Sequence, residues 1–390
     1  MGKNDHDAVL RARLLLLGSR QPSLPEALQA YRVLAEVSPR AYLPKLVDAL
    51  LAMSHRSRAP GVGLGLVAEA VEAARRIETG LPAHAERLCR ALNAYQAALF
   101  AHGRRAEGRA VCEEMAAAGD SGRLANVLAE EGRFLEAAAL NEKKARDGVP
   151  EHTFWSLVEW AANLEGAGRH EAASAVFREL LDETRRKTAE QRTALSVLGW
   201  ELVHHSRMRE AAGHGREAAA GRREALTVLE ELATTGEPKN WSCILSWWVT
   251  LYVLSGRGDE PAATPESPMP PFGSDLGWSG DTREAFLGTL PGLEAEASDL
   301  REAGRLAELV DVQRRISVRV ALREGGHPHR FAGRLAPYFD EGLALARRLP
   351  DDPARLARAL TDRSMFFLAA RTFEPARTDF AEAVALLDLR

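Results

Sequence analysis

FWSLVEWAANLEGAGRHEAASAVFRELLD, residues 154–182, decides the fold. Trp160, Ala161 and Leu164 recur three or four apart, and after Gly168-Arg169 the same spacing returns in Ala173, Phe177 and Leu180. Each half therefore carries one apolar stripe of an amphipathic helix, and two such stripes joined by a glycine turn bury each other. Small Ala161 and Ala173 let the two backbones approach, while Phe177 and Leu180 fill the space between this hairpin and the next.

The pattern repeats outward from there. Gly103-Arg104, Gly132-Arg133 and Gly168-Arg169 mark successive turns 29 and 36 residues apart. LANVLAEEGRFLEAAALNEK, residues 124–143, is the second-best copy, with Ala125, Leu128, Phe134 and Ala137 at the packing positions. Toward the N-terminus, Ala27, Tyr31 and Leu34 take those roles in a hairpin over 5–37, and Pro39 follows it. A second pair spans 41–54 and 66–78. A weaker copy over 193–220 has Ser206-Arg207 in place of Gly-Arg, with Gly213 and Gly215 expected to kink its second helix. Leu300, Gly304-Arg305, Leu309 and Ile316 restore the pattern, and the last hairpin, 357–387, carries Phe373, Ala376, Phe380 and Ala383 around a turn where Arg371 replaces glycine.

These hairpins resemble the tetratricopeptide repeat, whose period is about 34 residues. The resemblance implies an all-α fold, a right-handed superhelical solenoid of antiparallel helix pairs. It also implies a protein that holds a protein or peptide partner. Residues 241–254, WSCILSWWVTLYVL, read as a fully buried helix in which Trp241, Trp247 and Trp248 fill a wide gap. The Pro-, Gly- and Ser-rich stretch 256–280 cannot continue a helix. It is expected to be an exposed linker between a solenoid over 1–255 and a second helical segment over 281–390, or to dock on the helices through Phe272 and Trp278.

Composition narrows the functional classes. Hydrophobic residues make up 46% and charged residues 27%, and 55 acids against 51 bases give a net charge of -4. With the two signs interspersed, neither nucleic acid nor an anionic membrane is an expected partner. Only six bases are lysine, and the Arg- and Ala-rich composition resembles that of a GC-rich bacterial, actinobacterial, genome. Cys89, Cys112 and Cys243 offer neither a disulfide framework nor a metal knuckle, and no apolar run reaches the length of a membrane span. A cytoplasmic protein is expected.

Catalytic motifs fail on inspection. His170-Glu171 opens like a zinc-protease helix, but Ser174 stands where the second histidine belongs. His204-His205 point apart on a helix, and His327 and His329 flank a proline in a turn. Gly61, Gly63 and Gly65 lack the dinucleotide spacing, and Gly103 to Gly108 is followed by Arg109 rather than by Lys-Ser or Lys-Thr. No enzyme activity, cofactor or metal is expected. The inner face of the first helices would instead present Arg90, Asn93, Asn126, Trp155, Glu159, Trp200 and Trp247 as a peptide-binding groove. There the amides would bond an extended backbone, the arginine a carboxylate, and the tryptophans would supply contact area. A competing expectation is a peptide- or small-molecule-sensing module acting through another chain. The apolar ending, Leu386, Leu387 and Leu389 with Phe366 and Phe367, is expected to dock on another subunit or on an earlier helix.

Overall fold

The computed structural model describes residues 3–57, 60–80, 82–147, 153–191, 195–237, 244–271, 277–324 and 331–388, and among these it is all-α, with no strand. Trp241, Cys243, Phe272, His327, His329 and Leu389 lie outside the described residues. The chain forms two compact units, 1–124 with 279–281 and 125–278 with 282–390.

The first unit holds α1 (Lys3–Leu17), α2 (Leu24–Val37), α3 (Pro39–Arg56), α4 (Pro60–Arg75), α5 (Pro82–Ala101) and α6 (Arg105–Ala117). Each packs on its neighbour in sequence, and α3 also touches α5. Leu43, Leu50, Leu92 and Leu99 are fully buried between them, while Val9 and Ala12 of α1 meet Ala30 and Leu34 of α2. Residues 279–281 join this unit through Arg105, which donates to Asp281 at 3.2 Å, and Arg123, which donates to Ser279 at 3.3 Å.

Between the units' sequence ranges lies α7 (Gly122–Glu130); the second unit continues with α8 (Phe134–Asp147), α9 (Thr153–Gly166), α10 (His170–Gln191), α11 (Leu195–Ala211) and α12 (Gly215–Thr235). Then come α13 (Ile244–Gly256), α14 (Gly280–Gly288), α15 (Leu290–Glu302), α16 (Leu306–Glu324), α17 (Phe331–Ala346), α18 (Pro353–Ala369) and α19 (Phe373–Asp388). From α8 to α12 every helix packs on the next, as in a stacked array. From α15 to α19 each helix again packs on the next, but contacts distant in sequence are added. α13 rests on α11, α16 and α18, and α19 returns to lie along α12.

The turns explain the Gly-Arg signature. Gly168 has φ +71°, its N–H bonds the Glu165 carbonyl at 2.9 Å, and Arg169 N–H bonds the Leu164 carbonyl at 2.8 Å. This is a Schellman closure, which needs a left-handed residue after the helix. Gly103, Gly132, Gly213 and Gly304 adopt the same positive φ, and Arg371 at φ 60° does so in the last hairpin without being glycine. In three of these turns the following arginine immediately precedes the next helix and clamps a glutamate three residues on: Arg104 to Glu107, Arg133 to Glu136, Arg305 to Glu308. In the weak copy the structure moves the turn. Ser206-Arg207 lies inside α11, with the Ser206 hydroxyl donating to the Leu202 carbonyl at 2.7 Å, and Gly213 makes the turn instead.

α13 reads as expected for a buried helix. Trp248 is 1% exposed, stacked on Tyr252 at 5.6 Å and surrounded by Phe331, Phe339 and Phe366 at about 6 Å. The apolar C-terminal residues meet helices of the same chain. Leu386 and Leu387 pack against Leu343, Ala357, Leu360 and Ala383, and Asp388 accepts from Arg223 of α12 at 3.2 Å.

Within the stretch 256–280, residues 257–271 are held against the second unit. After a 3-10 turn at Arg257–Asp259 the chain runs without regular structure as a strap. Met269 N–H donates to the Glu130 carbonyl at 2.9 Å, and Ala263 lies so close to Gly132 that a Cβ there would fall 2.2 Å from the Ala263 oxygen. Trp278 is buried with its ring edge-on to Phe286 at 5.6 Å. Among the described residues no helix is long and apolar enough to cross a membrane.

Candidate functional site

The residues expected to form a groove fall in both units. Arg90 and Asn93 are exposed in the first, where Arg90 pairs with Asp48 at 3.2 Å. In the second, Asn126, Glu159, Trp200 and Trp247 are buried. Trp200 is 2% exposed and its indole N–H donates to the Met365 carbonyl at 3.1 Å, because α18 has returned across α11. Trp247 stacks on half-buried Trp155 at 4.6 Å. Glu159 takes Lys144 at 3.4 Å, and its burial still pushes its pKa up despite that lysine. Two tryptophans and two polar groups of the proposed set therefore present little surface.

A different site is built where the strap crosses the second unit. It is a cavity of about 710 Å³, within the range of small-molecule sites. The α7–α8 turn contributes Gly132 and Phe134, and the end of α9 contributes Glu165 and Gly166. From α11 come His204, Arg207, Met208 and Ala211, and from the end of α13 Val253 to Gly256. Pro261, Ala263, Met269, Pro270 and Pro271 of the strap cover it, with Phe286 and Val318 behind. The lining is mainly apolar with a few polar groups among it, the composition of a binding pocket.

Ion pairs anchor the strap's first residues. Asp362, buried on α18, accepts from Arg314 Nε and Arg207 Nη2, both at 2.7 Å. Burial would raise its pKa, but the two guanidiniums hold it below the usual carboxylate range. Arg314 also reaches Asp259 and donates to the Ser255 hydroxyl at 2.7 Å. Arg319 grips Glu260 at 2.6 Å, donates to Thr289 Oγ1 at 2.7 Å, and lies 4.0 Å from the Phe286 ring centre. These arginines of α16 sit among Val310, Val312, Ile316, Val318 and Val320, a helix buried nearly throughout.

Other cavity groups are unmatched. His204 is held neutral, its pKa pushed down to about 3 by burial and then by Arg207 and His205, and its Nδ1 has no hydrogen-bond partner. Burial lowers the Arg257 pKa to about 10 against the pull of Glu165. The Glu165 carboxyl is raised by burial, against Arg257 and His170.

Sequence reasoning missed this site because its walls come from seven separate segments. One signal was legible: the acid pair Asp259-Glu260 opening a proline-rich stretch, and arginines at 314, 315 and 319 on one otherwise apolar helix. Among the described residues no group of three or more His, Cys, Asp and Glu is placed to hold a metal ion. No protein-family model matches the chain, and no curated protein matches it.

Proposed function

We propose that the protein is a tetratricopeptide-like helical module of the bacterial cytoplasm that binds a small ligand in the strapped cavity and performs no chemistry on it. The observation that carries this is the cavity itself: about 710 Å³ of mainly apolar space crossed by a strap that ion pairs and hydrogen bonds keep in place. Cys89 is an unbridged thiol, in keeping with a reducing compartment. A ligand that binds one arrangement of the strap better than another would shift its population, and a partner chain could read that shift.

The test is native mass spectrometry of the purified protein beside an Ala211→Trp variant, with helicity checked by circular dichroism. Ala211 lines the cavity from the exposed end of α11, so an indole there takes up space without entering the core. A co-purifying small molecule, or an added hydrophobic dye, should be retained by the wild type and lost by the variant. Equal retention by both would place the ligand elsewhere.

The protein- or peptide-scaffold reading stands second. Exposed Arg90 and Asn93 and half-buried Trp155 favour it, being the members of the expected groove that keep accessible surface.

A further inference from the structure

The arginines in and beside the cavity differ in one respect that bears on what it takes: Arg207 and Arg257 line it, and Arg314 and Arg319 stand behind it. Arg207 and Arg314 share Asp362, and Arg319 holds Glu260. Arg257 has no carboxylate within ion-pair distance among the described residues. Its Nη1 donates to the Ala162 carbonyl at 2.7 Å, its guanidinium lies 4.3 Å from the centre of the Phe134 ring, and its buried Nη2 has no partner. The position is built for it. A Cβ on Gly166 would come within 2.9 Å of that Nη2 and 3.0 Å of Phe134, so the glycine makes room for the stacked guanidinium.

Resting on the cavity as the binding site, we propose that its ligand is a small anion with an apolar body, a carboxylate on a hydrocarbon or aromatic frame, and that Arg257 is its anchor. A buried guanidinium is favourable only with a compensating charge, and a bidentate carboxylate supplies it with matched geometry. The apolar part of the ligand would lie among Met208, Val253, Leu254, Met269 and Val318. Glu165 lines the same cavity and makes no ion pair with Arg257. Burial pushes its carboxyl toward the neutral form, so it opposes an entering anion less than an exposed glutamate would.

The experiment is calorimetric titration of the full chain with decanoate, decanol and decylammonium, repeated on Arg257→Gln. Decanoate should bind wild type at least tenfold more tightly than decanol, decylammonium should bind no better than decanol, and Arg257→Gln should erase decanoate's advantage while leaving decanol unchanged. If decanol matches decanoate on the wild type, the anion claim falls and the cavity reading survives. If neither binds, both fall. The wild-type series decides the matter even where the variant does not fold.

Discussion

Gly132 and Gly168 close equivalent turns with nearly the same backbone, φ +76° and +71°, yet their surroundings differ completely. A Cβ at Gly168 meets nothing within 4 Å, whereas one at Gly132 would fall 2.2 Å from the Ala263 carbonyl oxygen. Alanine at either site pays for the left-handed conformation, roughly 1–2 kcal/mol. At Gly132 the strap must also retreat by about 1 Å to restore an ordinary carbon–oxygen contact. That movement strains the Met269 to Glu130 hydrogen bond, whose net contribution is about 1 kcal/mol, and carries the general cost of overpacking, about 1–3 kcal/mol. Gly132→Ala should therefore destabilise the second unit by about 1–3 kcal/mol more than Gly168→Ala. Urea unfolding of both variants, followed by circular dichroism, measures the difference, and brief proteolysis should cut within 257–271 faster in Gly132→Ala alone. Equal midpoints and equal cleavage would mean that the strap does not rest on the α7–α8 turn.

Removing Asp362 takes the buried carboxylate from Arg314, which keeps Asp259 and Ser255, and from half-buried Arg207, so Asp362→Ala should cost about 3 kcal/mol by chemical denaturation, the low end for a broken buried pair. Glu201 is wholly buried on α11, and burial raises its pKa to about 8 against the pull of Thr184, Arg185 and Lys187. Its folded pKa lies above the unfolded one, so the stability it permits is complete below about pH 4.5 and declines as pH rises toward 8. Relative to wild type, Glu201→Gln should gain about 1.4 kcal/mol per pH unit across that window, and a flat difference would refute the buried acid. His204 works in the opposite sense: its depressed pKa of about 3 means that stability is lost as pH falls from about 6.5 toward 3.

Local chemistry was legible in the sequence and long-range closure was not. The turn at Gly168-Arg169 could be read because a left-handed residue after a helix nearly demands glycine, and the stripe of Ala173, Phe177 and Leu180 needs only a neighbouring helix. α11 defeated the same approach. It is buried on nearly all sides, so its apolar residues show no face, and the turn falls at Gly213, seven residues after the expected Ser206-Arg207. Trp200 and Trp247 looked like groove residues because nothing near them in sequence covers them. Trp200 is covered by α18, whose Met365 lies 165 residues away. Proline and glycine in 257–271 forbid a helix but do not say whether the backbone is free. Pairing of Asp259 and Glu260 with arginines more than fifty residues later decides that.

Helix capping alone does not account for Arg257. It follows the last residue of α13 and donates to a carbonyl near the end of α9, so it sits where two helix macrodipoles place negative charge. Each such interaction is worth about 0.3–1 kcal/mol, reaching about 2 kcal/mol only in favourable, partly buried geometry. Desolvating a guanidinium costs several kcal/mol, more than two such dipole interactions supply, and burial lowers its pKa to about 10 against the pull of Glu165. A residue whose whole purpose was capping would gain by reaching water or by pairing directly, as Arg207 and Arg319 do. If capping were nevertheless the whole of its role, Arg257→Gln would lower the melting temperature and leave the ratio of decanoate to decanol affinity where it was. Loss of that ratio in a folded variant is an outcome that capping does not produce.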